Sequence, residues 1–235
     1  MDVIYGDTDS FFVKYDPKKT GTFLRKVEHE LSLEIRPDVT YERVFFTEAK
    51  KRYAGLLPDG RLEIVGMEVA RGDWAEVAKH VQEKVLEIIL KEQSPEKAVD
   101  FVRRYIMNLR NGKVTYSDLI VWKTLTKPVE EYKVNTPHVE AAKMLRKEGW
   151  NLTIGDKVGF VIIKGKGRLY ERVLPYSLAK YDQLDLEYYE EQQILAAAIR
   201  VLSLFGKKED DLKPRYSPGL SNGIRLGSEK QLRLM

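Results

Sequence analysis

The sequence predicts an α+β fold, and two observations predict it. Up to about residue 70, short strand-like runs alternate with turn residues around one helical segment; after Gly72 the apolar residues move to helical spacing and strand runs become rare. The first part reads as an antiparallel sheet carrying a helix, and the second as a mainly helical unit.

Asp2 to Tyr15 reads as a hairpin, with VIY and SFFVKY flanking a GDTD turn whose Gly and Asp supply the backbone angles a tight turn needs. Residues 20 to 35 hold a helix. ERVFFTE, KRYAGLL and RLEIVGM supply three more strands, the last two joined at Pro58-Asp59-Gly60. Beyond Gly72, Asp73 and Glu76 have the spacing of a capping pair, and Trp74, Val77, Ala78, Val81, Val85 and Ile88 form the apolar stripe of the helix that follows. Ser94-Pro95 starts a second helix and Asn111-Gly112 stops it. Thr136-Pro137 starts a third, which ends at Gly149, and GFVIIKG (159 to 165) is a short strand. Asp185 caps the last helix, which runs to Gly206 with Tyr188, Leu195, Ile199, Leu202 and Phe205 as its core residues. A domain boundary falls near Gly72, giving units 1–71 and 72–212, and a basic tail, 213–235, follows.

At 43% hydrophobic and 32% charged over 235 residues, the composition is that of a globular protein with a real core. No run approaches the roughly 18 to 20 apolar residues of a membrane span, and the N-terminus lacks signal-peptide order, so a cytoplasmic location is expected. With no cysteine, disulfides, thiolate metal sites and cysteine nucleophiles are excluded. His29, His80 and His138 are too scattered for a zinc site and are expected at surface or boundary positions. The formal net charge of +4 resides in the tail, where Lys213, Arg215, Arg225, Lys230 and Arg233 face one acid, Glu229; the rest of the chain balances. Any nucleic-acid surface on the body must therefore come from local clusters, of which AKKRY (Lys50, Lys51, Arg52) and KGKGR (Lys164, Lys166, Arg168) are the two candidates, each also readable as a solvated face.

Asp7 and Asp9 sit two residues apart in the first turn. Two carboxylates so close raise each other's pKa, and a divalent cation removes that conflict. Mg²⁺ suits the site, since it takes hard oxygen ligands from one or two carboxylates, waters and substrate phosphates. A calcium loop does not fit, because Phe11, Phe12 and Val13 stand where further acids are needed. The competing reading is a capped turn whose aspartates bond to backbone N–H groups.

The surrounding motifs resemble the C-terminal portion of family B DNA polymerases, especially the archaeal ones. YGDTDS (Tyr5 to Ser10) is similar to the family's catalytic palm hairpin and KKRY (Lys50 to Tyr53) to its primer–template contact motif. GDW at 72, LTKPVEEYK at 125, PHVEAAKML at 137, GDKVGFVIIKG at 155 and YYEEQQILAAAIRVLSLFG at 188 resemble pieces of the thumb, in the family's order. The resemblance implies DNA-templated nucleotidyl transfer with two Mg²⁺ ions.

On this resemblance Asp9 is the direct ligand of both metals and Asp7 a second, less direct acid, while Thr8 shapes the turn. Lys50 and Lys51 contact the primer–template, Arg52 either binds a phosphate or forms an ion pair, and Tyr53 either holds the primer end or belongs to the core. Glu48 is a surface residue. Arg71, Lys127 and Lys133 are candidate phosphate contacts of the thumb. The resemblance also implies parts that do not occur here: another metal-binding aspartate, a helix whose lysine and tyrosine grip the incoming deoxynucleoside triphosphate, the fingers and the 3′–5′ exonuclease. The expectation is therefore the small chain of a split archaeal polymerase, a heterodimer whose large chain shares the two metals, acting in DNA replication at the nucleoid. A truncated single-chain enzyme and a non-catalytic DNA-binding or assembly subunit are the alternatives. Gln231 and Leu234 partly match a sliding-clamp peptide but lack its aromatics; a tail touching DNA is preferred.

Overall fold

The computed structural model describes residues 2–8 and 10–214. Its elements follow the α+β order expected. A hairpin of β1 (Val3–Asp7) and β2 (Ser10–Val13) leads into α1 (Pro17–Leu31). β3 (Arg43–Phe46), β4 (Tyr53–Leu56) and β5 (Leu62–Val65) follow as an antiparallel meander. Helix α1 starts before residue 20 because Asp16 caps it: its Oδ1 accepts from the N–H groups of Lys18 and Lys19 at 3.1 and 3.3 Å, with Pro17 at the first helical position. The hairpin and the meander are two separate sheets rather than one, joined through side chains instead of a shared ladder.

Helix α2 (Glu76–Glu87) continues as a π-helical turn, Ile88–Glu92, before α3 (Pro95–Arg110). Asp73 does not cap α2. The N-cap is Ala75, whose N–H reaches the Gln193 side chain at 2.9 Å, while the Asp73 carboxylate is held by the Arg71 guanidinium at 3.0 and 2.9 Å. A guanidinium two residues away, with two matching donors, competes better for the carboxylate than backbone amides do. Ser94 does cap α3, accepting from Lys97 N–H at 3.3 Å.

β6 (Val121–Thr124), β7 (Lys157–Ile162) and β8 (Val173–Pro175) form a second antiparallel meander, backed by α4 (Pro137–Lys147). β6 and β8 are additions to the strands expected: β6 has strand formers in Val121, Trp122 and Thr124, with Ile120 just before it, whereas β8 is three residues long and ends in proline. α5 (Leu186–Tyr188), a π-helical stretch, Tyr189–Leu195, and α6 (Ala196–Leu202) make one continuous rod against α2 and α3, begun by Asp185, whose Oδ1 accepts from Tyr188 N–H. A last short helix, α7 (Glu209–Leu212), returns to α3.

One buried apolar cluster runs from Phe45, Ala54 and Leu56 through Val81, Val85 and Leu86 of α2 to Ile162, Ile194, Val201 and Leu202. Arg43 on β3 adds a polar tie across the same junction, donating to the carbonyls of Leu90 and Lys91 at 2.6 and 3.1 Å. Phe205, expected in the core, is 39% exposed and stacks on Phe45 at 6.0 Å instead, because the rod ends in a 3₁₀ turn there. His138, expected near the surface, is buried beside the Tyr132 ring, with Nδ1 3.0 Å from Thr136 Oγ1. Burial, helped by the Lys123 charge, pushes its pKa down to about 4, so it is neutral at pH 7. Among the described residues no helix is long and apolar enough to cross a membrane.

Candidate active-site hairpin and nucleic-acid interface

Tyr5 and Asp7 lie two residues apart on β1 and so project from the same face. The Tyr5 ring stacks on Phe46 of β3 at 4.8 Å and meets Phe12, its cross-strand partner, edge-on at 5.9 Å. Phe12 in turn meets Tyr53 of β4 at 5.1 Å and Phe46 at 5.0 Å. Four aromatic rings thus join the two sheets, each pair worth about 0.5–1.5 kcal/mol beyond its buried area. Tyr53 belongs to this cluster, and burial raises its pKa. Its phenol therefore stays protonated at neutral pH.

One hydrogen bond then brings the two principal motifs together. Tyr5 Oη accepts from the backbone N–H of Lys51 at 2.8 Å, so the GDTD hairpin and the KKRY turn form one wall. The KKRY turn is closed by Thr47, whose hydroxyl donates to the Arg52 carbonyl at 3.0 Å and accepts from Ala49 N–H at 3.2 Å. Lys51 takes a left-handed backbone, φ 59°. Its carbonyl lies where a Cβ on Gly66 would come within 1.8 Å, so only glycine at 66 leaves room for the turn. Lys50 and Lys51 are exposed and, among the described residues, make no ion pair; Arg52 is half-buried and makes none either. Glu48 is exposed, as expected.

Asp7 is half-buried. Its Oδ1 accepts from the Thr8 hydroxyl at 3.0 Å, while Oδ2 is shielded from solvent and has no hydrogen-bond partner among the described residues. A shielded, unmet carboxylate oxygen is costly unless something else occupies its lone pairs, which fits a cation ligand better than a capped turn. Thr8 stands at φ 50°, an uncommon angle for a β-branched residue, and so shapes the turn. Asp9 lies outside the described residues, as do the tail positions Arg215, Arg225, Glu229, Lys230, Gln231, Arg233 and Leu234. Among the described residues no three His, Asp or Glu side chains converge on a metal-sized site.

Among the described residues, the remaining candidates make no hydrogen bond, ion pair or ring contact with this wall. Arg71 has its guanidinium engaged by Asp73, whose carboxyl is held below its usual range by that contact. Lys127 Nζ sits 4.9 Å above the Tyr132 ring, and the Tyr132 hydroxyl accepts from Thr126 N–H at 2.9 Å. Lys133 is exposed. In KGKGR, Lys164 is tied to the Asp182 carbonyl at 3.0 Å. Tyr5, Thr47 and Gly66 were not singled out from sequence. An isolated glycine at the end of a strand is the visible signal for Gly66, whereas Tyr5 lies within the YGDTDS motif without a role of its own.

The sequence matches the family described as DNA polymerase family B over residues 1–205. The chain belongs to this family. It is 50% identical over 213 residues to the DNA polymerase 2 of Aeropyrum pernix, covering 91% of this chain and 26% of that protein. It is 40% identical to the DNA polymerase of Archaeoglobus fulgidus over 230 residues, covering 90% of this chain and 29% of the relative. Its structure resembles that of the family B DNA polymerase from the archaeon Pyrobaculum calidifontis, with TM-score 0.70 and 45% identity over 88% of this chain and 27% of that one. This family B chain thus spans between a quarter and a third of the length of these relatives.

The Tyr5 hydroxyl offers a direct test of the wall. Tyr5→Phe keeps the stack on Phe46 and removes the acceptor for Lys51 N–H, so a loss of about 1 kcal/mol is expected, read as a lower unfolding midpoint. Faster hydrogen exchange at the Lys51 amide, with the amides of β4 unchanged, locates the effect.

Proposed function

We propose that this chain supplies the C-terminal part of the palm (1–71) and the thumb (72–212) of a DNA-directed DNA polymerase, and that it works as the small subunit of a heterodimer with a larger chain. The observation that carries this reading is the bond from Lys51 N–H to Tyr5 Oη, which sets the acidic hairpin beside the basic KKRY turn. Such a wall offers carboxylates to metal-bound triphosphate on one side and cations to the primer–template backbone on the other.

Asp7 and Asp9 would hold the cations, Asp9 directly and Asp7 through its unmet Oδ2. Two Mg²⁺ ions, when bound, promote attack by the primer 3′ oxygen and neutralise the departing pyrophosphate of a deoxynucleoside triphosphate. Thr8 orients Asp7 by its hydroxyl. Lys50 and Lys51, without acidic partners among the described residues, meet phosphates, and Arg52 adds a third charge. Tyr53 braces the hairpin from the aromatic cluster rather than touching DNA. Lys127 and Lys133 extend the contact along the thumb.

The need for a larger chain rests on the hairpin. Among the described residues β1 pairs only with β2, and Val3 and Ile4 are 61% and 62% exposed. An isolated two-stranded hairpin with an apolar open edge is marginal and pairs readily with another strand. A large chain bringing the remaining palm, the fingers and the exonuclease covers that edge and adds the missing metal ligand and nucleotide-gripping helix. The assembled enzyme would work on chromosomal DNA at the nucleoid.

The purified chain is expected to bind primer–template weakly and salt-sensitively, and to incorporate nucleotide only after the large chain is added. Substantial incorporation by this chain alone overturns the split site. In the assembled enzyme, Lys50→Ala with Lys51→Ala is expected to weaken primer–template binding by about tenfold at moderate salt; unchanged binding and extension remove both lysines from the interface.

A further inference from the structure

The acidic hairpin stands outside the main core. The buried apolar cluster contains no residue before Phe45, and Val27, the buried apolar residue of α1, is not part of it. Where Asp7 stands relative to the KKRY turn therefore depends on the side chains that meet between the hairpin and the face of the β3–β5 sheet that carries Phe46 and Tyr53. Besides Tyr5, Phe12, Phe46 and Tyr53, a fifth ring is present there. Tyr41 comes from the segment just before β3, and no motif names it.

The Tyr41 ring crosses β4 at Gly55, where a Cβ would lie 2.2 Å from Cδ1 and 2.4 Å from Cε1, and its hydroxyl reaches β5 to donate to Glu63 Oε2 at 2.8 Å. Gly55 and Glu63 are direct partners in the β4–β5 register, so ring and hydroxyl follow one row across the sheet. Gly55 has no left-handed backbone angle; it is the ring above it that leaves no room for a side chain. Burial, with the Glu63 contact, raises the phenol pKa, so the hydroxyl remains a donor at neutral pH. Phe12 then stacks on this clamped ring at 6.1 Å, with the two planes 23° apart. Phe12 is the cross-strand partner of Tyr5, which holds the Lys51 amide, and Asp7 follows Tyr5 by two residues on the same face of β1.

We infer that Tyr41 is a positioning residue for the acidic turn: held between Gly55 and Glu63, its ring is the stop on which Phe12 rests, and it sets the spacing between Asp7 and the KKRY lysines. It acts through Phe12 and Tyr5, with its own hydroxyl already committed to Glu63. The inference deepens the polymerase reading above, and only its catalytic readout rests on that reading.

Gly55→Ala is the sharpest test, because it pushes the ring aside without altering Tyr41 itself. In the chain alone, Gly55→Ala and Tyr41→Ala should each speed hydrogen exchange at the Lys51 amide by about fivefold or more, with the amides of β4 unchanged. In the proposed two-chain enzyme, below the unfolding midpoint of each variant, each should lower the saturating single-turnover rate by about tenfold while affinity for deoxynucleoside triphosphate and primer–template holds, since a small misplacement of a reacting group costs rate rather than binding. Glu63→Gln, whose amide oxygen still accepts from the tyrosine, should stay near wild type, and Glu63→Leu should follow the ring variants. Gly55→Ala added to Tyr41→Ala should have little further effect, because both act through the same ring. Additive losses in that double variant, a wild-type exchange rate at Lys51, or exchange raised equally across β4 with the saturating rate unchanged each overturn the positioning role. A wild-type pair that incorporates no nucleotide, beside faster Lys51 exchange in the variants, overturns the polymerase reading and leaves the placement of the hairpin by Tyr41 supported.

Discussion

Asp9→Ala in the proposed two-chain polymerase is expected to reduce nucleotide incorporation by at least on the order of 10³-fold while leaving assembly and primer–template affinity intact. A preorganised electrostatic element at the reacting centre is worth that much, and Asp9, in the role proposed for it as ligand of both cations, would act on the attacking and leaving oxygens together. Asp7→Asn should cost less. Its Oδ1 still accepts the Thr8 hydroxyl, and only the charge and the ligand capacity of Oδ2 are altered. Single-turnover incorporation with saturating DNA separates the two variants from a binding defect. Incorporation retained in Asp9→Ala would instead favour a non-catalytic assembly role for the chain.

Arg200→Met carries the largest expected effect on stability. Glu68 is 1% exposed; its Oε2 accepts from Gln82 Nε2 at 2.6 Å and its Oε1 is 3.0 Å from Arg200, which also lies over the Trp74 ring at 5.6 Å. Gln82 continues the network, donating to the Ala197 carbonyl at 3.1 Å and accepting from Val69 N–H at 3.1 Å. Removing Arg200 takes the ion-pair partner from a buried carboxylate and leaves it only the weaker influence of Arg71, at a cost of about 3 kcal/mol, toward the lower end of the range for that reason and because the arginine is partly exposed. In a chain of this size that lowers the thermal midpoint by about 6–12 °C. Adding Glu68→Gln should recover much of the loss, since the neutral amide no longer needs a countercharge. A double variant no better than Arg200→Met would show that the lost Trp74 contact, not the ion pair, carries the stability.

Much of the fold was legible because its signals are local. Ser94 with Pro95, Asp185 before the last rod, and the glycines after Asn111 and Asp59 act within a few residues, and the structure uses each as its chemistry suggests. The failures share one cause. Asp73 was claimed by Arg71, Ala75 took a side-chain acceptor from Gln193, and His138 was covered by Tyr132, each decided by a neighbour that a spacing rule does not see. β6, with Val121, Trp122 and Thr124 and Ile120 just before it, has strand propensity of its own, whereas β8, only three residues long and ending in Pro175, is held as a strand by its pairing with β7.

The sequence by itself determined the family, the order of the motifs, and the two acidic and two lysine positions that matter to the proposed chemistry, since those depend on residue type at short range. Tertiary structure decided which of these meet. Tyr5 reaches across 46 positions to the Lys51 amide, Gly66 leaves space for the turn that presents it, and Arg71 claims the Asp73 carboxylate that spacing assigns to a helix cap. Hydrogen-bond and charge compensation act over a few ångströms of space, and that distance is set by packing, not by position along the chain.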